Sequence, residues 1–188
     1  MEITELNRRI GERLRVMRTA RGLTLDRLAA LTGVSKPMLS QIERGETNPT
    51  VGTLWKIAGG LDLPFSALLE DQPGEVTVVR AGTRNVLAED HGRFLVTPLF
   101  PADPRHPVEV FRVLLRPGCH RVAQGHGAGV AEYLTVTRGS LVLALPGGEH
   151  RLDEGDALRF SAAGEHTYLN PFQSDCLLFL LIGYFAAC

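Results

Sequence analysis

The sequence is poor in the features that mark secreted, zinc-binding or membrane proteins. It has three cysteines, Cys119, Cys176 and Cys188, with no Cys-x-x-Cys spacing, so we expect neither a disulfide framework nor a structural zinc site. Its most apolar run, residues 177–182, is too short to span a bilayer. The N-terminal segment is polar and amphipathic, unlike a signal peptide. We therefore expect a cytoplasmic protein with no membrane partner.

A strong excess of charge of one sign is also lacking, because the net charge of the 188 residues is only −1. The two halves nevertheless differ. Residues 1–70 hold ten basic and eight acidic residues, a net charge of +2, whereas residues 71–188 hold ten and thirteen, a net charge of −3. The asymmetry is mild, but its sign suits an N-terminal part that binds an anion.

The hydrophobic pattern changes near residue 72. Before it, apolar residues recur at the spacing of helices, and Gly or Pro residues separate the segments. This predicts five short helices. Their apolar positions are Leu6, Ile10, Leu14 and Met17; Leu25, Leu28 and Ala29; Leu39 and Ile42; Leu54, Ile57, Ala58 and Leu61; and Phe65, Leu68 and Leu69.

After residue 74, short apolar runs alternate with Gly, Pro and Asp, which predicts an antiparallel β-sandwich or barrel. The expected fold is thus α+β and multi-domain, with an all-α part followed by an all-β part. The predicted strands are residues 76–79, 94–100, 108–115, 132–136, 141–145, 157–160 and 176–184.

The densest local signal lies in the second and third predicted helices. Thr24 is positioned to cap the second helix and Ser35 the third, with Pro37 in the first turn of the third. Gly33 falls where a tight turn needs a positive φ. Two helices joined by so short a turn form a helix-turn-helix, whose second helix can enter the major groove of DNA.

Inward-facing Leu39 and Ile42 leave polar residues on the outer side of the third helix. These suit base edges and phosphates, and the N-terminal amides of the next helix, at Thr50, could hold a phosphate. The five arginines of the first helix are either solvated or phosphate-binding: Arg8, Arg9, Arg13, Arg15 and Arg18. The predicted DNA-binding residues are Thr24, Ser35, Lys36, Met38, Ser40, Gln41, Arg44, Asn48 and Thr50.

Residues 7–70 resemble the phage-repressor-like (XRE) helix-turn-helix family. The combined spacing is specific, although each fragment alone is weak. The resemblance implies a phage-repressor-like helical domain that binds double-stranded DNA. Its matching fragments are Leu28-Ala29, Gly33-Val34-Ser35, Ile42-Glu43-Arg44-Gly45 and Pro49-Thr50.

Residues 117–170 resemble the cupin family, a double-stranded β-helix barrel. The second cupin motif fits at Gly155, His166 and Asn170. The first fits at Glu132 and Gly139, but one histidine of its pair is missing. Counted back from Glu132, Ala128 occupies the second histidine position; counted forward from Gly118, Gln124 occupies the first.

Imidazole nitrogens with one carboxylate suit Fe, Mn, Ni or Zn, so His126, Glu132 and His166 could hold a divalent transition metal, completed by Gln124 or His120. A metal-free pocket for an organic ligand and a purely structural role remain alternatives. Strand alternation places Tyr168 and Asn170 on the same face as His166. The predicted ligand-binding residues are His120, Gln124, His126, Glu132, His166, Tyr168 and Asn170.

The order of the two parts resembles that of XRE–cupin regulators. The resemblance implies a DNA-binding domain (1–70), a linker (71–76) and a cupin sensor domain (77–188). It further implies a homodimer on a pseudo-palindromic operator, acting as a repressor that responds to a small polar metabolite, with no catalytic activity. Two alternatives stay open: a cupin metalloenzyme, dioxygenase- or isomerase-like, tethered to DNA, and an antitoxin-like DNA binder with a non-sensing barrel.

Overall fold

The computed structural model describes residues 3–69, 76–82, 86–103 and 106–185. The chain divides into two compact units, Met1–Gln72 and Pro73–Cys188, and each is described by itself. Most of the predicted linker, residues 71–75, and the terminal Cys188 lie outside the described residues. No helix in the described part of the chain is long and apolar enough to cross a membrane.

Within residues 3–69 the first unit forms four α-helices: α1 (Ile3–Ala20), α2 (Leu25–Thr32), α3 (Lys36–Glu43) and α4 (Val51–Gly60). The predicted fifth helix is a 3₁₀-helix, Phe65–Leu68. It is only one turn long, and the Leu69 N–H bonds the Ser66 carbonyl in the tighter i+3 pattern. The core is formed by the predicted apolar positions, including the fully buried Leu14, Leu28, Leu39, Leu54 and Ile57.

The described residues of the second unit form ten antiparallel strands in two sheets. They are β1 (Leu87–Glu89), β2 (Phe94–Phe100), β3 (Val108–Leu115), β4 (Cys119–Ala123), β5 (Val130–Arg138), β6 (Ser140–Leu145), β7 (Gly148–Asp153), β8 (Ala157–Ser161), β9 (His166–Asn170) and β10 (Cys176–Tyr184). One sheet has the order β1-β2-β3-β10-β5-β8 and the other β4-β9-β6-β7.

The predicted strand at residues 76–79 is absent: residues 76–80 form no strand, and Val76 and Val78 are 85% and 64% exposed. Apolar alternation alone therefore did not bring this segment into a sheet. Four strands lie outside the predicted apolar runs: β1, β4, β7 and β9. The expected alternation from His166 to Asn170 had indicated β9. The other three lie at sheet edges, where strands are short or polar and carry a weak hydrophobic signal.

Candidate DNA interface and buried polar cluster

Side-chain caps fix the start of each helix of the helix-turn-helix. The Thr24 hydroxyl accepts from the Arg27 N–H and the Ser35 hydroxyl from the Met38 N–H. Between the two helices, Gly33 is the C-cap of α2 with φ of 65°, a backbone conformation that Gly adopts without a Cβ penalty. The predicted caps and turn are confirmed.

The residues singled out for DNA contact lie mostly at the surface. Thr24, Ser35, Lys36, Met38, Gln41, Arg44, Asn48 and Thr50 are exposed, and Ser40 is partly exposed. Some already have protein partners. Lys36 Nζ lies 2.9 Å from Asp26 Oδ2, and the Arg44 guanidinium bonds both Glu46 and Ser40. The Arg44 guanidinium is thus paired with an exposed carboxylate at the surface.

An ion pair holds the C-terminal end of α3 against α1. Arg18 Nε and Nη2 donate to the two oxygens of Glu43 at 2.6 and 2.9 Å, and Nη1 donates to the Leu23 carbonyl at 2.8 Å. The hydrogen bond to Glu43 raises the pKa of Arg18. Arg18 is thus a positioning residue of the domain, a role the sequence did not reveal. The ion pair also explains the structural role of Glu43 in the Ile42-Glu43-Arg44-Gly45 fragment, which is to hold α3 against α1.

Three residues from separate segments form a polar cluster inside the second unit. Glu132 on β5, His166 at the start of β9, and His126 in the loop after β4 place their ligand atoms within 4.8 Å of one another. Their side chains are 1%, 1% and 4% exposed. Glu132 Oε1 lies 2.9 Å from His126 Nε2 and 3.4 Å from His166 Nε2. Glu132 Oε2 accepts from the Tyr168 hydroxyl.

The protonation of His166 follows from its partners. Its Nδ1 lies 3.1 Å from the Gly164 carbonyl, which can only accept, so Nδ1 carries the proton. In the neutral ring Nε2 is then an acceptor. It has no hydrogen-bond partner among the described residues and faces a carboxylate oxygen. An unpartnered imidazole nitrogen that faces a buried carboxylate oxygen at 3.4 Å could be satisfied by a bound cation.

Burial and hydrogen bonding shape the titration of the cluster. Burial lowers the pKa of His126, although Glu132 opposes the effect. Burial alone would raise the pKa of Glu132, but the contact with His126 Nε2 at 2.9 Å and the neighbouring His166 imidazole hold it below its usual range. Burial and the neighbouring Glu132 carboxylate raise the pKa of Tyr168. A carboxylate with two imidazole nitrogens is a donor set that divalent transition metals accept.

The structure does not bring all predicted ligand-binding residues to this cluster. His120 and Gln124 are exposed on the outer side of β4 and beyond its end, and Gln124 Nε2 donates to Glu165 at 2.9 Å. Ala128 is also exposed. None of these three residues completes the cluster. Alternation along β4 turns the His120 side chain outward, and Gln124 and Ala128 lie beyond the end of that strand.

Asn170 shares the buried face of β9 with His166 and Tyr168, as predicted. Its side-chain amide is nevertheless hydrogen-bonded to the backbone. Nδ2 donates to the carbonyls of Leu115 and Ser174 at 2.9 Å each, and Oδ1 accepts from the Phe172 N–H at 3.1 Å. The side chain braces the turn before β10, which leaves it little capacity to bind a ligand.

The sequence missed Arg121 and Glu89. Arg121 lies on the buried face of β4, directly opposite Tyr168 in the β4–β9 register. Its Nε donates to Glu89 Oε2 at 2.9 Å, and its guanidinium carbon lies 5.1 Å from the centre of the Phe94 ring. The signal that could have found it is the alternation Cys119-His120-Arg121-Val122-Ala123, which puts Arg121 on the same face as two small apolar residues.

Comparisons with known proteins agree with both units. The helix-turn-helix family model HTH_3 matches residues 14–68. The HTH-type transcriptional regulator SutR of Escherichia coli (strain K12) is 37% identical over 179 residues, 95% of this chain and 97% of SutR. A crystal structure of an HTH_3 family transcriptional regulator from Vibrio cholerae is 32% identical, with a TM-score of 0.81 over 97% of this chain and 99% of that chain.

A third similarity concerns the fold alone. The crystal structure of FeII HppE is 18% identical with a TM-score of 0.50, and the match covers 94% of this chain and 99% of that chain. The chain is thus similar over nearly its whole length to a helix-turn-helix regulator. It belongs to the XRE family of helix-turn-helix transcriptional regulators with a C-terminal cupin barrel. The predicted family and fold class are confirmed.

Proposed function

We propose that this regulator is a repressor that binds a pseudo-palindromic operator as a homodimer and responds to a small polar metabolite in the cupin barrel. The observation that carries the sensing role is the sealed cluster of His126, Glu132 and His166. A barrel needed only as a scaffold gains nothing from a buried carboxylate and an unpartnered imidazole nitrogen, because burying polar groups without full compensation costs stability.

In the DNA-binding role, α3 lies in the major groove. Gln41 and Ser40 present hydrogen-bonding groups to base edges, and Met38 offers an apolar contact. The caps at Thr24, Ser35 and Thr50 mark helix N-termini whose amides and positive dipole ends suit phosphate oxygens. A DNA operator as the partner implies a cytoplasmic site of action.

A homodimer follows from the small size of this interface. One helix of eight residues reaches few bases, so useful specificity needs two half-sites about one helical turn apart. The outer face of the six-stranded sheet supports self-association, because Phe179 and Leu181 on its central strand β10 and Tyr133 on neighbouring β5 are 37–39% exposed. A strand that is apolar on both faces is typical of one that is covered on both sides.

The test of DNA recognition compares two variants on a selected operator duplex. Gln41→Ala should cost about 1–3 kcal/mol of operator binding and relax specificity at one base pair. Arg44→Ala should weaken specific and random DNA alike and lower the salt slope by about one. Arg138→Ala on the barrel is the control and should change neither. Stoichiometric titration should give two chains per duplex. Wild-type affinity in both α3 variants would exclude α3 from the groove.

For the sensor, we propose that His126, Glu132 and His166 contact the effector directly or through a divalent transition metal. The three residues fit such an ion, since His166 Nε2 is unpartnered and faces Glu132. When bound, the ion would supply a Lewis-acid position for an oxygen or nitrogen of the effector. Tyr168 holds the second oxygen of Glu132 and so fixes the carboxylate. The names of the relatives are those of transcriptional regulators, which supports a sensing role over catalysis.

A further inference from the structure

Arg121 is a buried charged side chain of the barrel that neither the DNA interface nor the polar cluster uses. It is 8% exposed. Of the five N–H donors of a guanidinium, only that on Nε has an acceptor among the described residues, Glu89 Oε2. The four N–H groups on the two terminal nitrogens bond to no described residue, although the side chain is nine-tenths buried.

A purely structural arginine in the same chain behaves differently. Arg18 donates from Nε and Nη2 to Glu43 and from Nη1 to the Leu23 carbonyl. All three nitrogens of the Arg18 guanidinium are thus hydrogen-bonded. Arg121, held at one edge by Glu89 and over one face by Phe94, keeps its terminal edge free. A guanidinium fixed in this way is preorganised for bidentate hydrogen bonding to an oxyanion.

The position of Arg121 links it to the cluster. It faces Tyr168 across the β4–β9 pair, and Ala123, two residues further along β4, faces His166. Two residues along a strand correspond to about 7 Å. A ligand of a few heavy atoms can therefore contact Arg121 at one end and the His126–Glu132–His166 cluster at the other.

We propose that the barrel binds a small oxyanion, such as a carboxylate, with Arg121 as its anchoring residue. This rests on the proposed sensing function and names the chemical class of the effector. Glu89 balances the charge of Arg121 without covering its terminal nitrogens. Because these nitrogens are donors only, they favour an oxyanion over the amine that imidazoles and a carboxylate alone would suggest.

The test is differential scanning calorimetry of the full chain with three probes of similar size at equal ionic strength: succinate, its neutral diamide succinamide, and the dication putrescine. Succinate at roughly ten times its Kd should raise the melting temperature of the barrel by about 3–6 °C. Succinamide and putrescine should not. The measurement is made on protein as purified and after chelation, so that an anchor on Arg121 is separated from binding to a metal alone.

The variant Glu89→Gln/Arg121→Gln removes both charges together, so no unpaired charge stays buried. It should abolish the succinate shift, whereas Arg159→Gln, a surface arginine beside Tyr133, should keep it. If the double variant does not fold, Arg121→Lys replaces it. The lysine keeps the ion pair with Glu89 but cannot make bidentate hydrogen bonds, so it should bind succinate at least about tenfold more weakly.

The proposal is wrong if succinate gives no shift in the wild type, or an equal shift without Arg121. A rise in melting temperature with putrescine or succinamide that is lost when Glu132 is replaced would contradict the anionic class of the effector. It would not contradict the sensing role of the barrel. Failure of the sensor itself would appear instead as an operator affinity that no barrel ligand changes.

Discussion

Removal of the Arg18 side chain tests the account of how α3 is held for DNA. Arg18→Met deletes two charge-assisted hydrogen bonds to Glu43 and one to the Leu23 carbonyl. The two side chains are 15% and 9% exposed, so Glu43 is left with little access to water. Because breaking a largely buried pair costs about 3–5 kcal/mol and this pair keeps some water contact, we expect a loss of about 2–3 kcal/mol. For a domain of this size that lowers the melting temperature by roughly 8–20 °C.

The single tryptophan of the chain makes the assay specific. Trp55 lies on α4 and stacks on Phe65, with ring centres 4.6 Å apart, so its fluorescence during urea unfolding reports the DNA-binding unit alone. A double-mutant cycle with Glu43→Gln should give a coupling of about 1–2 kcal/mol. Arg8→Ala is the control, since its ion pairs are fully at the surface, and it should show no measurable change. Additive single and double variants would refute the role of the pair.

Two further predictions concern packing and metal content. Gly11→Ala should destabilise the DNA-binding unit by about 1–3 kcal/mol, because its Cβ would lie 2.3 Å from the Ile42 carbonyl oxygen on α3. Gly59→Ala, whose Cβ would meet nothing within 4 Å, should instead stabilise the unit by about 0.5–1 kcal/mol. Urea titration compares the two variants, and equal changes in stability would contradict the close approach of α1 to α3 at Gly11. Elemental analysis of the purified protein should find less than one equivalent of transition metal, since the described residues offer only three ligands; a full equivalent that disappears in His166→Ala would contradict this.

Much of the fold could be predicted, because its strongest elements carry local signals. Strands β2, β3 and β10 agree with their predicted bounds, since each is a long apolar run bounded by turn residues. The helix caps could be predicted because Thr24 and Ser35 act within three residues of themselves. The edge strand β7 was missed since only Leu152 in it is buried, so its hydrophobic pattern is weak.

The candidate site was less accessible from sequence, because it depends on which strands become neighbours. The cupin spacing singled out His126, Glu132 and His166, and the structure places them together. Arg121 and Glu89 are 32 residues apart and meet only through the packing of β4 near β1. A lone arginine within a strand usually faces water, so the alternation of Arg121 with Cys119 and Ala123 was too weak a signal to predict its burial.

The central claim, that the buried cluster controls DNA binding, is tested most directly by operator titration of wild type and Glu132→Gln. The titration is made with and without a compound selected for stabilising the wild-type barrel. Because a ligand shifts an equilibrium only by its differential affinity for two states, the wild type should change operator affinity by about 5–150-fold. Glu132→Gln should bind the operator like the free wild type and respond less than about twofold. An equal response in both proteins would contradict the account.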